Sequence, residues 1–157
     1  MDRRRRAYAL PSLVAVLCLA GCGVTIPSDP DGTLDRVRGG ELRAGASASG
    51  ELVTVDGGEV GGELVAIVEN FAESIDARVE WTVGSEEELA DAIQAGELDL
   101  AVGGMTDQTP WADHVAVTRG YTSVPSADGR AVVMLLPMGE NAWLSTLETF
   151  LDEEVGP

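Results

Sequence analysis

Two cysteines and one histidine hold the thiol and imidazole chemistry of this 157-residue chain. Both cysteines stand near its start. Cys22 closes the run Leu19-Ala20-Gly21-Cys22, where two small residues precede a thiol. That is the pattern of the bacterial lipobox, in which the cysteine sulfur is the nucleophile that takes a diacylglycerol. Arg3 to Arg6 supply a basic stretch, and Ala7 to Ala20 is mostly apolar but well short of the ~20 residues that span a bilayer. Residues 1–21 are therefore predicted to be a lipoprotein signal peptide, with lipid on Cys22. The alternatives are an ordinary signal peptide cut elsewhere and an uncleaved anchor. Each buried methylene contributes roughly 0.8 kcal/mol, and two acyl chains hold a protein stably on a membrane. The expected location is the extracytoplasmic face of the cell membrane. With Cys18 removed and Cys22 acylated, no thiol is left for a disulfide, a metal or a nucleophile.

The remaining reactive types are sparse. His114 has no second histidine or free cysteine to share a transition metal with, so surface placement is the default. There is no Gly-x-Ser-x-Gly elbow, and "GGEVGG" lacks the lysine of a phosphate-binding loop. No enzyme activity and no cofactor are expected. Glu86-Glu87-Glu88 follow Ser85 and suit a helix first turn better than a calcium site, which needs oxygens from several segments. Arg119 is expected to pair with a nearby acid, with anion binding as the alternative.

Charge narrows the partners. The formal net charge is −17 and lysine is absent. Residues 1–21 hold four of the ten basic residues and one of the 27 acidic ones, so the remainder carries six against 26, a net of −20. Such a surface repels nucleic acid and anionic headgroups and attracts cations.

The elements that must position any site follow from periodicity. Residues 22–32 read as a polar tether, "TLDRVRGG" as a short helix, and "ELRAGAS" as a strand. A loop or small hairpin around Asp56-Gly57-Gly58 precedes a helix carrying Leu64, Ile67, Val68, Phe71 and Ile75 at helical spacing. "ARVEWTV" alternates as a strand, with Val79, Trp81 and Val83 on one side. A Ser85-capped helix and the buried strand "LDLAVGG" come next. "TPWADH" starts a short helix at Pro110. "VAVTRGYTSV" and "RAVVMLLP" read as two strands around an Asp128-Gly129 turn, and Trp143, Leu144, Leu147, Phe150 and Leu151 stripe a final helix. Alternating strands and helices imply an α/β lobe, residues 33–157, with a mostly parallel sheet.

The order of these motifs resembles the family 3 extracellular solute-binding proteins of ABC importers. "TLDRVRGGELRAGAS" is similar to their opening helix and strand, and "GEVGGELVAIVENFAE" to their first long helix, with Gly61 and Glu63 in the Gly and Asp places. "EEELADAIQAGELDLAVGGMT" resembles their helix, turn, Asp-bearing strand and Gly-Met-Thr. The resemblance runs over residues 33–124 and the last helix. It implies a periplasmic-binding-protein-like fold reduced to its first lobe, with a hairpin where the second lobe would be inserted.

It also implies where a ligand would sit, and what has changed there. The arginine that grips a ligand carboxylate in a bidentate pair corresponds to Trp111, with Gln108 at the family's threonine. The expected aromatic clamp corresponds to "GELV", and Ser47 replaces an acid. The residues left at that rim are Ser47, Ser49, Glu63, Thr106, Asp107, Gln108, Trp111 and Tyr121. Trp111 is either a stacking face for solute or a residue packed on its own lobe. The resemblance implies a lipid-anchored, non-enzymatic binding protein associated with transport. Its expected partners are a small polar neutral or cationic solute and a membrane transporter subunit. The alternative is a one-lobe adaptor for a membrane protein, with solute binding lost.

Overall fold

The computed structural model describes residues 29–156, so the signal-peptide reading and Cys22 lie outside the described residues. Helix α1 (Thr33–Val37) leads into β1 (Glu41–Ala46), and a hairpin of β2 (Thr54–Asp56) and β3 (Glu59–Gly61) follows. Then come α2 (Glu63–Ser74), β4 (Arg78–Val83), α3 (Glu86–Gln94) and β5 (Leu100–Val102). A 3-10 turn at Pro110–Asp113 precedes β6 (Ala116–Val117), another at Pro125–Ala127 precedes β7 (Leu135–Leu136), and α4 (Asn141–Glu154) ends the fold.

The main sheet has the order β4-β1-β5-β7-β6. β1 pairs in parallel with β4 and β5, whereas β7 runs antiparallel to β5 and β6. Nine paired positions are parallel and three antiparallel, so the sheet is mostly parallel. Helices cover both faces. α2 buries Leu64, Val68 and Phe71 against one face, together with Trp143, Leu147 and Leu151 of α4. Phe71 packs between Trp143 and Phe150, with ring centroids 5.3 and 5.4 Å away. On the other face α3 seats Leu89 and Ile93. Its approach depends on Gly45, where a Cβ would stand 2.7 Å from a Leu89 methyl and 2.9 Å from one of Leu98.

A short return connects β6 and β7, in the place where a hairpin was expected. Tyr121 and Val132 bridge antiparallel, and Asp128 and Gly129 turn the chain at φ 53° and 76°. The two long strands expected here are instead two-residue strands. At the end of their ladder the Thr118 N–H still donates to Met134 O at 3.1 Å, but the Met134 N–H goes to the Thr118 hydroxyl at 3.0 Å and not to its carbonyl. Of the alternating set on β4, Val79 and Trp81 are partly buried, whereas Val83 is 47% exposed at the end of this edge strand. The last residues of the expected tether are held by the lobe. Asp29 accepts the N–H groups of Trp143 and Leu34 at 3.0 Å each.

Candidate functional site

In open α/β sheets, ligands bind outside the carboxyl ends of parallel strands, where successive connections leave toward opposite faces. Here that place lies beside β1, because α2 and α3 pack on opposite faces of the sheet. Ser47 follows β1 directly, and its N–H donates to Val102 O of β5 at 2.9 Å. Gly103 and Gly104 then let the two strand ends close up. A Cβ on Gly103 would lie 3.0 Å from that of Ser47, and one on Gly104 would lie 2.7 Å from Ser49 Oγ. Glu86 Oε1 is 3.6 Å from the same Gly104 point, so the first turn of α3 borders the rim. Glu86 belongs to this rim, although its sequence context read only as a helix start.

Thr106 continues the rim and bridges Val132, while its Oγ1 accepts the Gln108 N–H at 3.4 Å. Asp107 and Gln108 are exposed beside it. The other two candidate residues are engaged elsewhere. Glu63 begins α2, and its Oε2 accepts the Ser126 N–H at 2.8 Å, tying that helix to the short return. Trp111 is partly buried on the α3-side core, with its indole N–H enclosed and unpaired. Tyr121 leaves the rim altogether. Its ring is in the α4-side core and its hydroxyl reaches Asp152 at 3.3 Å, with burial pushing its pKa up to about 12. Arg119 pairs with Asp152 at 2.7 Å and Glu148 at 3.4 Å, the acid pairing expected for it. His114 is exposed after the 3-10 turn.

The cap of α3 shows how its acids are divided. Ser85 Oγ accepts the Glu88 N–H, and Glu88 Oε2 accepts the Ser85 N–H at 2.9 Å, a complete capping box. That backbone bond first, then the Ser85 hydroxyl, holds the Glu88 carboxyl below its usual range. Glu86 makes no part of this box and stays free to face the rim.

The opposite end of the sheet carries a different polar group. Asp99, fully buried, receives Arg36 through both terminal nitrogens (3.1 and 2.6 Å) and Arg43 through Nε, Nη2 and the backbone N–H. Burial pushes its carboxyl up, but the guanidinium bonds together outweigh this and hold it below the ordinary value. Glu140, 1% exposed, accepts the N–H groups of Asp31 and Thr33 at 2.9 Å. Its pKa is also lowered on balance, burial being opposed by those backbone bonds.

The arginine-bound domain 1 of a point mutant of TmArgBP, the ArgBP from T. maritima, superposes with a TM-score of 0.67 at 19% identity. That match covers 77% of this chain and 97% of the domain. The likeness is one of fold, that of a single domain such as domain 1 of TmArgBP. The substrate-binding protein of an amino acid ABC transporter agrees at a TM-score of 0.60 and 14% identity, over 74% of this chain and 95% of its own. An ancestral cyclohexadienyl dehydratase matches at a TM-score of 0.50 and 25% identity, over 56% of this chain and 38% of its own. Arginine- and cationic-amino-acid-binding proteins recur among the similar structures. No protein-family model and no curated protein sequence matches the chain.

Proposed function

We propose that this protein is a lipid-anchored, non-enzymatic solute-binding protein of the extracytoplasmic membrane face, working with a membrane transporter. The observation that carries the reading is the open rim of Ser47, Ser49, Glu86, Thr106 and Gln108, at the carboxyl ends of strands in a lobe whose structural neighbours bind amino acids. Its hydroxyls and amide offer hydrogen bonds to a polar solute. Its acids Glu86 and Asp107, on a chain of net charge −17, favour a neutral or cationic one. Trp111 in the place of a carboxylate-gripping arginine removes a charge-assisted bond of about 1.5–3 kcal/mol, so free amino acids should bind weakly. A rim open on one side also makes fewer contacts than an enclosed cleft.

Two measurements test the two halves of this proposal. A thermal-shift panel of amino acids, polyamines and divalent cations should give its largest rise with cationic or neutral solutes. Micromolar or tighter glutamate binding would contradict it. In cells, wild-type protein should take up labelled palmitate and Cys22→Ser should not; a labelled variant would refute the anchor. The second reading, an adaptor without solute binding, is favoured by the burial of Trp111 against its own lobe, and a panel with no rise at all would support it.

A further inference from the structure

The two edges of the sheet are built differently. β6 ends one side with only two residues, whereas β4 ends the other with six, about 20 Å of strand at ~3.3 Å per residue. Edge strands are ordinarily blunted by shortness, charged side chains (lysine above all), proline or a bulge, and of these β4 carries only the exposed charges of Arg78 and Glu80. "RVEWTV" has no proline or lysine, and it pairs with β1 over six consecutive positions without interruption. The N–H groups of Arg78 and Gly84 donate inward, to Gly40 O and Ala46 O. Backbone polar groups of alternate residues point to opposite sides of a strand, so those of Val79, Trp81 and Val83 face outward along an edge that no other strand of the described residues covers.

A groove of about 370 Å³ runs beside this edge, between α2 and β4. Val79 and Trp81, both partly buried, form its apolar side, while Glu69, Glu73 and Asp76 line it with exposed carboxylates. We propose that this edge receives an extended basic segment of another protein as an added strand, with an arginine or lysine lying over Trp81 toward the three carboxylates. Free backbone groups supply the strand pairing, and alternate side chains of the added strand reach the groove. The aromatic face and the acids together select a cation. Charge excludes the simplest competitor. A second copy paired through β4 would bring two acidic grooves of two strongly negative chains side by side. This proposal does not depend on solute binding at the rim.

Amide hydrogen exchange on the full chain tests it, with a blocked peptide of about six alternating arginines and valines as probe. The amides of Val79, Trp81 and Val83 should exchange freely alone and become protected when this peptide is added, but not with a glutamate–valine peptide. The double variant Glu73→Gln/Asp76→Asn should weaken peptide affinity roughly tenfold, the size of one lost charge-assisted contact. The same charge change on the β2–β3 hairpin, Asp56→Asn/Glu59→Gln, should leave affinity unchanged. Val83→Pro, which removes an outward donor and keeps the inward ladder, should also weaken it. Absence of protection, equal protection by both peptides, or equal weakening by the two double variants would overturn the proposal. So would protection that appears with rising protein concentration alone, since the occupant would then be a second copy.

Discussion

At the amino ends of the parallel strands, acids are buried and fully used; at the carboxyl ends, polar groups are plentiful and largely unspent. Asp99 takes five donors from Arg36 and Arg43, and Glu140 ties Asp31 and Thr33 to the start of α4. Trp143 adds its indole N–H to the Asp99 carbonyl at 2.8 Å. At the other end, Ser49 and Glu86 flank Gly104, and Asp107 and Gln108 are exposed after Thr106, without a comparable web of side-chain bonds. The contrast separates two uses of one residue type. A buried carboxylate must be satisfied from within or the fold loses free energy, whereas a solvated one costs little and remains available to a partner. Internal side-chain bonding is concentrated at the first end, and uncommitted polar groups at the second.

Removing Trp143 should break the first end most severely. Trp143→Ala empties a fully buried site packed on Phe71 and strips the Asp99 carbonyl of its donor. The expected cost is about 3–5 kcal/mol in urea unfolding, a large share of the ~5–15 kcal/mol typical of a domain. A midpoint close to wild type would refute the role given to α4.

Asp99→Ala should follow closely. Loss of one partner of a buried ion pair costs about 3–5 kcal/mol, and the lower figure is expected because Arg36 and Arg43 are 44% and 32% exposed and can rehydrate. The linked pH effect has a definite sign. The Asp99 and Glu140 pKa values are lowered in the folded state, so their contribution is present above the unfolded values of about 4 and is lost as pH falls through the folded ones. Wild-type stability should therefore drop in acid, and Asp99→Asn should flatten part of that drop. An unchanged acid limb would show that Asp99 is not the linked group.

The rim should respond least. Ser47→Ala, Thr106→Ala and Gln108→Ala are each expected within about 0.5 kcal/mol of wild type by thermal unfolding. A loss of several kcal/mol at any of them would erase the distinction between the two ends.

Much of this architecture was legible in the sequence, because it rests on local rules. Helical spacing identified α2 and α4, Ser85 before three glutamates marked the capped start of α3, and Asp128-Gly129 marked the turn. The fate of each acid was not legible. Asp99 and Glu87 are alike in type and sit in similarly acidic stretches, yet one is buried by arginines 56 and 63 residues away and the other is exposed. The β1–β5 pairing brings Arg43 to it, and α1 packed at the same end brings Arg36. The same limit applies to Glu140, whose partners lie more than a hundred positions earlier. The resemblance placed Tyr121 near the rim, but its antiparallel bridge to Val132 sets its ring in the α4-side core. The strands expected at residues 115–124 and 130–137 shorten to two residues each, and beyond them the Thr118 hydroxyl takes the Met134 N–H, a side-chain bond of which strand propensity carries no sign.

The most direct test of the account follows amide chemical shifts during a titration of the folded protein with arginine, as a cationic polar solute. The account predicts weak, saturable shifts concentrated at Ser47, Ser49, Gly103, Gly104, Thr106 and Gln108, with Asp99 and Glu140 unmoved. No shifts at millimolar arginine, or shifts gathered around Asp99 instead of the rim, would contradict it.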